Sequence, residues 1–103
     1  MAAPDEFIHQ PLRLKIMAAL YAARAGDPLV FTQLKTITQA TDGNLGAHLT
    51  ALEKVGYIAI DKDFVGKKPR TQLSLTPVGS TAFRQHVAYL RELVETVEDE
   101  GRK

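Results

Sequence analysis

The stretch Thr41–Arg70, TDGNLGAHLTALEKVGYIAIDKDFVGKKPR, decides how this chain is read. It opens on Thr41-Asp42-Gly43-Asn44, where the oxygens of Thr41 or Asp42 can accept the orphan amide hydrogens of a starting helix. Leu45, Leu49 and Leu52 then mark one apolar stripe at helical spacing. Gly56 ends the helix, and Tyr57-Ile58-Ala59-Ile60 reads as a short strand. Gly66-Lys67-Lys68-Pro69-Arg70 reads as a hairpin tip that leads into a second strand, Thr71 to Leu75. This order sets an exposed helix and a positively charged finger side by side on one small scaffold.

Upstream, Thr32 is a helix cap for a segment holding Leu34, Lys35 and Ile37, with Thr38-Gln39-Ala40 as the turn that follows. A short helix, a tight turn and a longer helix make a helix-turn-helix over about 31–55. Leu29-Val30-Phe31 is a short apolar approach to it, compatible with a small strand. A first helix is predicted from about Phe7 to Ala25, or from Pro11 if the proline takes the first helical position. Leu12, Ile16, Ala19, Leu20 and Ala23 form its apolar side, and Gly26-Asp27-Pro28 stops it. Downstream, Thr76-Pro77 is a hydroxyl cap followed by a proline, so the hairpin over about 57–75 gives way to a helix over about 77–100. Phe83, Val87, Leu90, Val94 and Val97 recur along it at spacings of four and three, further than a core of this size can cover.

At 103 residues, with 45% hydrophobic and 24% charged residues, the chain reads as a single globular domain, 1–103, without repeats or an internal linker. No apolar run approaches the roughly 20 residues that cross a bilayer, and the N-terminus lacks the pattern of a signal peptide, so a cytoplasmic location is expected. The absence of cysteine removes disulfides and thiolate metal sites. His9, His48 and His86 are scattered, and neither a nucleophile motif nor a phosphate-cradling glycine loop occurs. No enzymatic activity, cofactor or metal is therefore expected. The net charge of +1 conceals an uneven distribution. Glu92, Glu95, Glu98, Asp99 and Glu100 crowd the last helix, whereas Lys67, Lys68 and Arg70 share the tip without an acid between them.

Three surfaces follow. With Leu45, Leu49 and Leu52 buried, Gly43, Ala47, Thr50 and Lys54 face outward on the helix opened by Thr41, with Asn44 and Ala51 beside them and His48 at the edge. Asparagine can pair with an adenine edge, threonine can contact a base, and lysine can meet phosphate. Small Gly43, Gly46 and Ala47 would let the backbone approach a groove floor closely. Any solvated helix also shows a polar face, and His48 fits a structural or phosphate-contact role better than a catalytic one. Lys67, Lys68 and Arg70 could reach phosphates or enter a narrow minor groove, although three nearby cations also describe an ordinary loop. The stripe Leu90, Leu93, Val94 and Val97 would pair with a second subunit, while Phe83 and Val87 pack on the chain's own first helix. A groove near Tyr21, His86 and Tyr89 could admit a small-molecule effector, which nothing in the sequence specifically supports.

Several of these blocks together resemble a small group of single-domain winged-helix transcriptional regulators, related in fold to MarR- and ArsR-type repressors. The resemblance lies in Phe31-Thr32-Gln33-Leu34, Thr41-Asp42-Gly43-Asn44-Leu45, His48-Leu49 and Leu52-Glu53-Lys54-Val55-Gly56-Tyr57. It continues through Lys62, Phe64-Val65-Gly66-Lys67-Lys68-Pro69-Arg70-Thr71 and Leu75-Thr76, and covers roughly Phe7 to Leu90. It implies a homodimer whose third helix enters the major groove, with Asn44 and His48 as reading contacts and Lys67, Lys68 and Arg70 as wing contacts. Members often carry Gly-Arg early in the last helix, where this chain has Gly79-Ser80, so that arginine contact is not carried over.

The expected fold class is α+β, mainly α: a winged helix-turn-helix with a long C-terminal dimerisation helix. The expected function is dimeric, sequence-specific transcriptional regulation on a palindromic operator in double-stranded DNA. Thr41, Asn44, Ala47, His48, Thr50, Lys54, Lys67, Lys68 and Arg70 are the candidate DNA contacts. Repression by promoter occlusion is the expected mechanism, because no stretch remains for a separate activation domain. The alternative is a winged helix that binds protein without specific DNA recognition, since fold does not dictate use.

Overall fold

The computed structural model describes residues 3–23 and 27–101. Its elements run α1 (Pro11–Ala22), β1 (Leu29–Val30), α2 (Phe31–Thr38), α3 (Asp42–Lys54), β2 (Ile58–Val65), β3 (Lys68–Leu75) and α4 (Pro77–Gly101). The strands form one antiparallel sheet in the order β1-β3-β2. This is the expected winged helix-turn-helix with its long last helix.

The first helix is shorter than the Phe7 to Ala25 span. It begins at Pro11, with Gln10 as its cap accepting from the Arg13 amide at 3.1 Å. Ala25 and Gly26 lie outside the described residues. Residues 5–9 instead form a packed turn. The Asp5 carboxylate accepts from the amides of Phe7 (2.9 Å) and Ile8 (3.1 Å), and Ile8 is wholly buried. The apolar pair Phe7-Ile8 therefore belongs to the core without belonging to a helix.

The second helix also starts two residues earlier than a Thr32 cap would place it. Val30 occupies the cap position, and the Gln33 side chain reaches back to accept its amide hydrogen at 2.9 Å. The turn comes at Gln39, in the left-handed region at φ 57°, whose amide donates to the Lys35 carbonyl at 2.8 Å. Thr41 then caps α3, its hydroxyl accepting from the Asn44 amide at 3.2 Å.

The core gathers one stripe from each element: Ile16, Met17 and Leu20 from α1, Leu34 from α2, and Leu45, Leu49 and Leu52 from α3. Ile58, Leu73, Ala82 and Phe83 close it from the sheet and α4. Phe83 and Val87 pack as expected, and the Tyr21 and Phe83 rings lie 5.0 Å apart. Thr76 joins hairpin to helix: its hydroxyl accepts from the Gly79 amide at 2.9 Å and donates to the Gly56 carbonyl at 2.6 Å.

The hairpin tip is tighter than the Gly66 to Arg70 loop. β2 and β3 pair through Val65 and Lys68, leaving only Gly66 and Lys67 in the turn. Gly66 has φ 63°, and a glycine at positive φ in the first central position is the type II′ signature. Pro69 and Arg70 are thus strand residues, opposite Phe64 and Asp63. Backbone pairing alternates along an antiparallel ladder, and the pair that closes a two-residue turn is the hydrogen-bonded one. The Phe64–Pro69 pair beside it does not need the amide that proline lacks.

Candidate nucleic-acid interface

One side of α3 is spent on the core, where Leu45 and Leu52 are wholly buried and Leu49 nearly so. The opposite side is open: Thr41, Gly43, Asn44, Ala47, Thr50 and Lys54 are all exposed. The helix thus brings together Gly43, Ala47, Thr50 and Lys54, which periodicity places outward, with Asn44 and the cap Thr41, while Ala51 and His48 are half-buried at its edges. Thr50 turns its hydroxyl back to the Gly46 carbonyl at 3.0 Å, which leaves the oxygen's acceptor side free. Asp42, the acid in the first turn, is paired with Lys35 at 2.6 Å. Its charge is therefore offset where the helix dipole would meet an anion.

His48 is only half-buried, and its ring is held from behind. Its Nδ1 accepts from Arg13 Nε at 3.0 Å, while the Arg13 guanidinium lies 4.1 Å from the centroid of the Phe7 ring. Burial, followed by the nearby Arg13 charge, pushes the His48 pKa below its ordinary value. With Nδ1 accepting, the neutral ring carries its proton on Nε2, as a fixed donor.

The wing cations differ in kind. Lys67 stands in the turn and Lys68 opens β3, both exposed. Arg70 is committed: Nε and Nη2 donate to the two Asp63 carboxylate oxygens at 2.9 and 2.6 Å. That paired hydrogen bonding, more than proximity of charge, holds the Asp63 carboxyl below its usual range and Arg70 above its own. Sequence spacing showed three equivalent cations because the cross-strand register that matches Arg70 to Asp63 was not visible in it.

Along α4, Leu90 is half-buried, and Leu93, Val94 and Val97 stand 47%, 55% and 63% exposed. The groove expected near Tyr21, His86 and Tyr89 does not form from all three. Tyr21 lines a cleft of about 410 Å³ with Phe83, Val87 and Arg91. His86 lies elsewhere, stacked on Tyr89 and edge-on to His9, with Nδ1 accepting from the Asp5 amide at 3.0 Å. Asp5 also accepts from the Tyr57 hydroxyl at 2.7 Å, which, with burial and the carboxylate charge, pushes the Tyr57 pKa up to about 12. This hub was missed, because partners 52 and 81 positions apart leave no local signal.

These elements define a class: a winged helix with an open third helix and a cationic hairpin. Residues 12–94 match the winged helix DNA-binding domain family, and the chain belongs to that family. It is 31% identical over 87 residues to an uncharacterised protein of Methanocaldococcus jannaschii, covering 84% of this chain and 91% of that one. Its backbone superposes on a transcriptional regulator homologue from Pyrococcus horikoshii OT3 with a TM-score of 0.81 and 26% identity, over 90% of this chain and 89% of that one. A protein of Enterococcus faecalis V583 described as a MarR-family transcriptional regulator gives a TM-score of 0.73 at 22% identity, over 94% and 84% of the two chains. At that identity the likeness is one of fold. No helix among the described residues is long and apolar enough to cross a membrane.

Proposed function

We propose that the chain is a homodimeric, sequence-specific DNA-binding transcriptional regulator that represses by occluding a promoter. The observation that carries this reading is the uncovered face of α3, polar and small-residued, on a helix whose other face is locked into the core. Asn44 and Thr50 are its base-edge donors and acceptors, Ala47 its point of close approach, and Thr41, His48 and Lys54 its backbone contacts. Lys67 and Lys68 flank it from the wing, and Arg70 stands beside them, held by Asp63. The apolar residues Leu90, Leu93, Val94 and Val97 join two copies, and a two-fold pair of α3 helices calls for a palindromic site in double-stranded DNA.

Selection of bound genomic fragments at physiological salt tests this reading. The wild type should enrich a palindrome that Lys67→Ala/Lys68→Ala/Arg70→Ala loses. Failure of the wild type to enrich any fragment would overturn it in favour of a protein-binding winged helix.

A further inference from the structure

Phe64 is 71% exposed and its neighbour Val65 56%, at the outer end of a hairpin whose inner end buries Ile58 and Leu73. Side chains alternate across a sheet with period two. Starting from buried Ile58, one face of β2 carries Ile60, Lys62 and Phe64, opposite Leu73, Thr71 and Pro69 of β3. The other face carries Asp61, Asp63 and Val65, opposite Gln72, Arg70 and Lys68. The hairpin therefore sorts its charges. Both acids, and the arginine that one of them binds, lie on the face turned away from the core. Beyond Ile60 the core-side face holds a lysine, a threonine, a proline and an exposed aromatic ring, with no acid. It is also the side of the sheet on which α3 packs, through Leu52 and Ile58 of the common core.

We infer that the wing meets the minor groove of duplex DNA through Phe64, seated against the sugar walls between phosphate-binding lysines, and not through Arg70. The inference rests on the DNA-binding reading above and adds the wing's mode of contact. The occupant follows from charge and shape. Lys62 on the same face and Lys67 in the turn supply positive charge around an apolar centre, with Lys68 at the closing pair on the other face. A minor groove presents phosphates on its rims and deoxyribose faces on its walls, and apolar side chains are recurrent contacts there. Pro69, opposite Phe64, stiffens the strand beside the ring. Arg70 would have to leave two short hydrogen bonds to Asp63 before it could reach a groove.

The test uses the duplex most enriched by the wild type, with Phe64→Ser, Phe64→Leu, Lys67→Ala/Lys68→Ala and Arg70→Ala. Because Phe64 is so exposed, unchanged thermal unfolding is expected for both of its variants. Phe64→Ser should bind about tenfold more weakly with the salt slope unchanged, since an apolar contact releases no counterions. Phe64→Leu should recover much of the loss. The double lysine variant should lower the slope by about one unit per lysine, and Arg70→Ala should bind nearly as wild type. In a hydroxyl-radical footprint, which reads deoxyribose in the minor groove, Phe64→Ser should lose the flanking protections and keep the central ones. Wild-type affinity and flanks in Phe64→Ser would overturn this inference and leave the DNA-binding reading standing. A wild type that binds no duplex would overturn both.

Discussion

Arg70 and Asp63 show how one cross-strand register changes what a basic residue can do. Each side chain is a little over one-third exposed, so the pair is open to solvent screening, and its consequence is geometric more than energetic. Asp63→Asn leaves the shape and removes the compensating charge. In the DNA-binding reading this variant should bind duplex more tightly than wild type, with a salt slope steeper by about one counterion, measured by titration at several salt concentrations. His86 carries a second residue-scale consequence. It is fully buried, its Nδ1 accepts a backbone hydrogen, and its Nε2 has no hydrogen-bond partner among the described residues. Burial first, then the neighbouring His9, pushes its pKa below the ordinary 6.5, against a smaller opposing pull from Asp5. A histidine with a lowered folded pKa contributes stability that is present above 6.5 and lost as pH falls through the folded value. Thermal unfolding followed from neutral pH down to about pH 5 should show a midpoint that falls once the pH drops below 6.5. His86→Gln should flatten that fall, though not abolish it, because the pKa of His48 is lowered as well. An unchanged pH profile in His86→Gln would remove His86 from this account.

At the scale of elements, the junction of hairpin and α4 is the tightest seam. A Cβ at Gly79 would overlap the Tyr57 carbonyl oxygen and stand 2.7 Å from its carbon, and both atoms are backbone. Nothing flexible can yield there. Gly79→Ala should cost about 3 kcal/mol, at the upper end for overpacking, whereas Ser80→Ala, one position on, should be nearly neutral; denaturant unfolding of the two variants checks this. The sequence made α3 and α4 legible because each begins with a hydroxyl cap and keeps one apolar period, and those cues are local. It made the open face of α3 legible for the same reason. The N-terminal turn was not legible. Phe7 and Ile8 continue an apolar pattern into α1, and only the Gln10 cap and the bonds of Asp5 break it. The tip is not legible either, because Pro69 reads as a loop residue, yet a non-hydrogen-bonded strand position beyond the reach of β1 accepts it without loss. Charge sorting between the two faces of the wing needed the register, which a two-residue turn fixes and a five-residue loop would not.

The whole molecule is elongated, 63 × 25 × 23 Å, with a radius of gyration of 15.6 Å against about 13 Å for a compact chain of this length. The excess lies in α4. Its 25 residues extend about 37 Å at helical rise, and past Val87 its apolar side is exposed at Leu93, Val94 and Val97. Truncation after Leu90 should therefore leave the core folded and yield a monomer by light scattering. A full-strength dimer after truncation would refute the assignment of the interface to this stripe. Asp5 bears on the same geometry. With three backbone and side-chain groups on its carboxylate and its own amide on His86, it bolts the lower half of α4 to the root of the hairpin. A mast held along its lower half has little play. In the proposed dimer, a tilt of α4 against the hairpin would break that bolt, so a single spacing between half-sites is expected, as in a caliper locked at one opening.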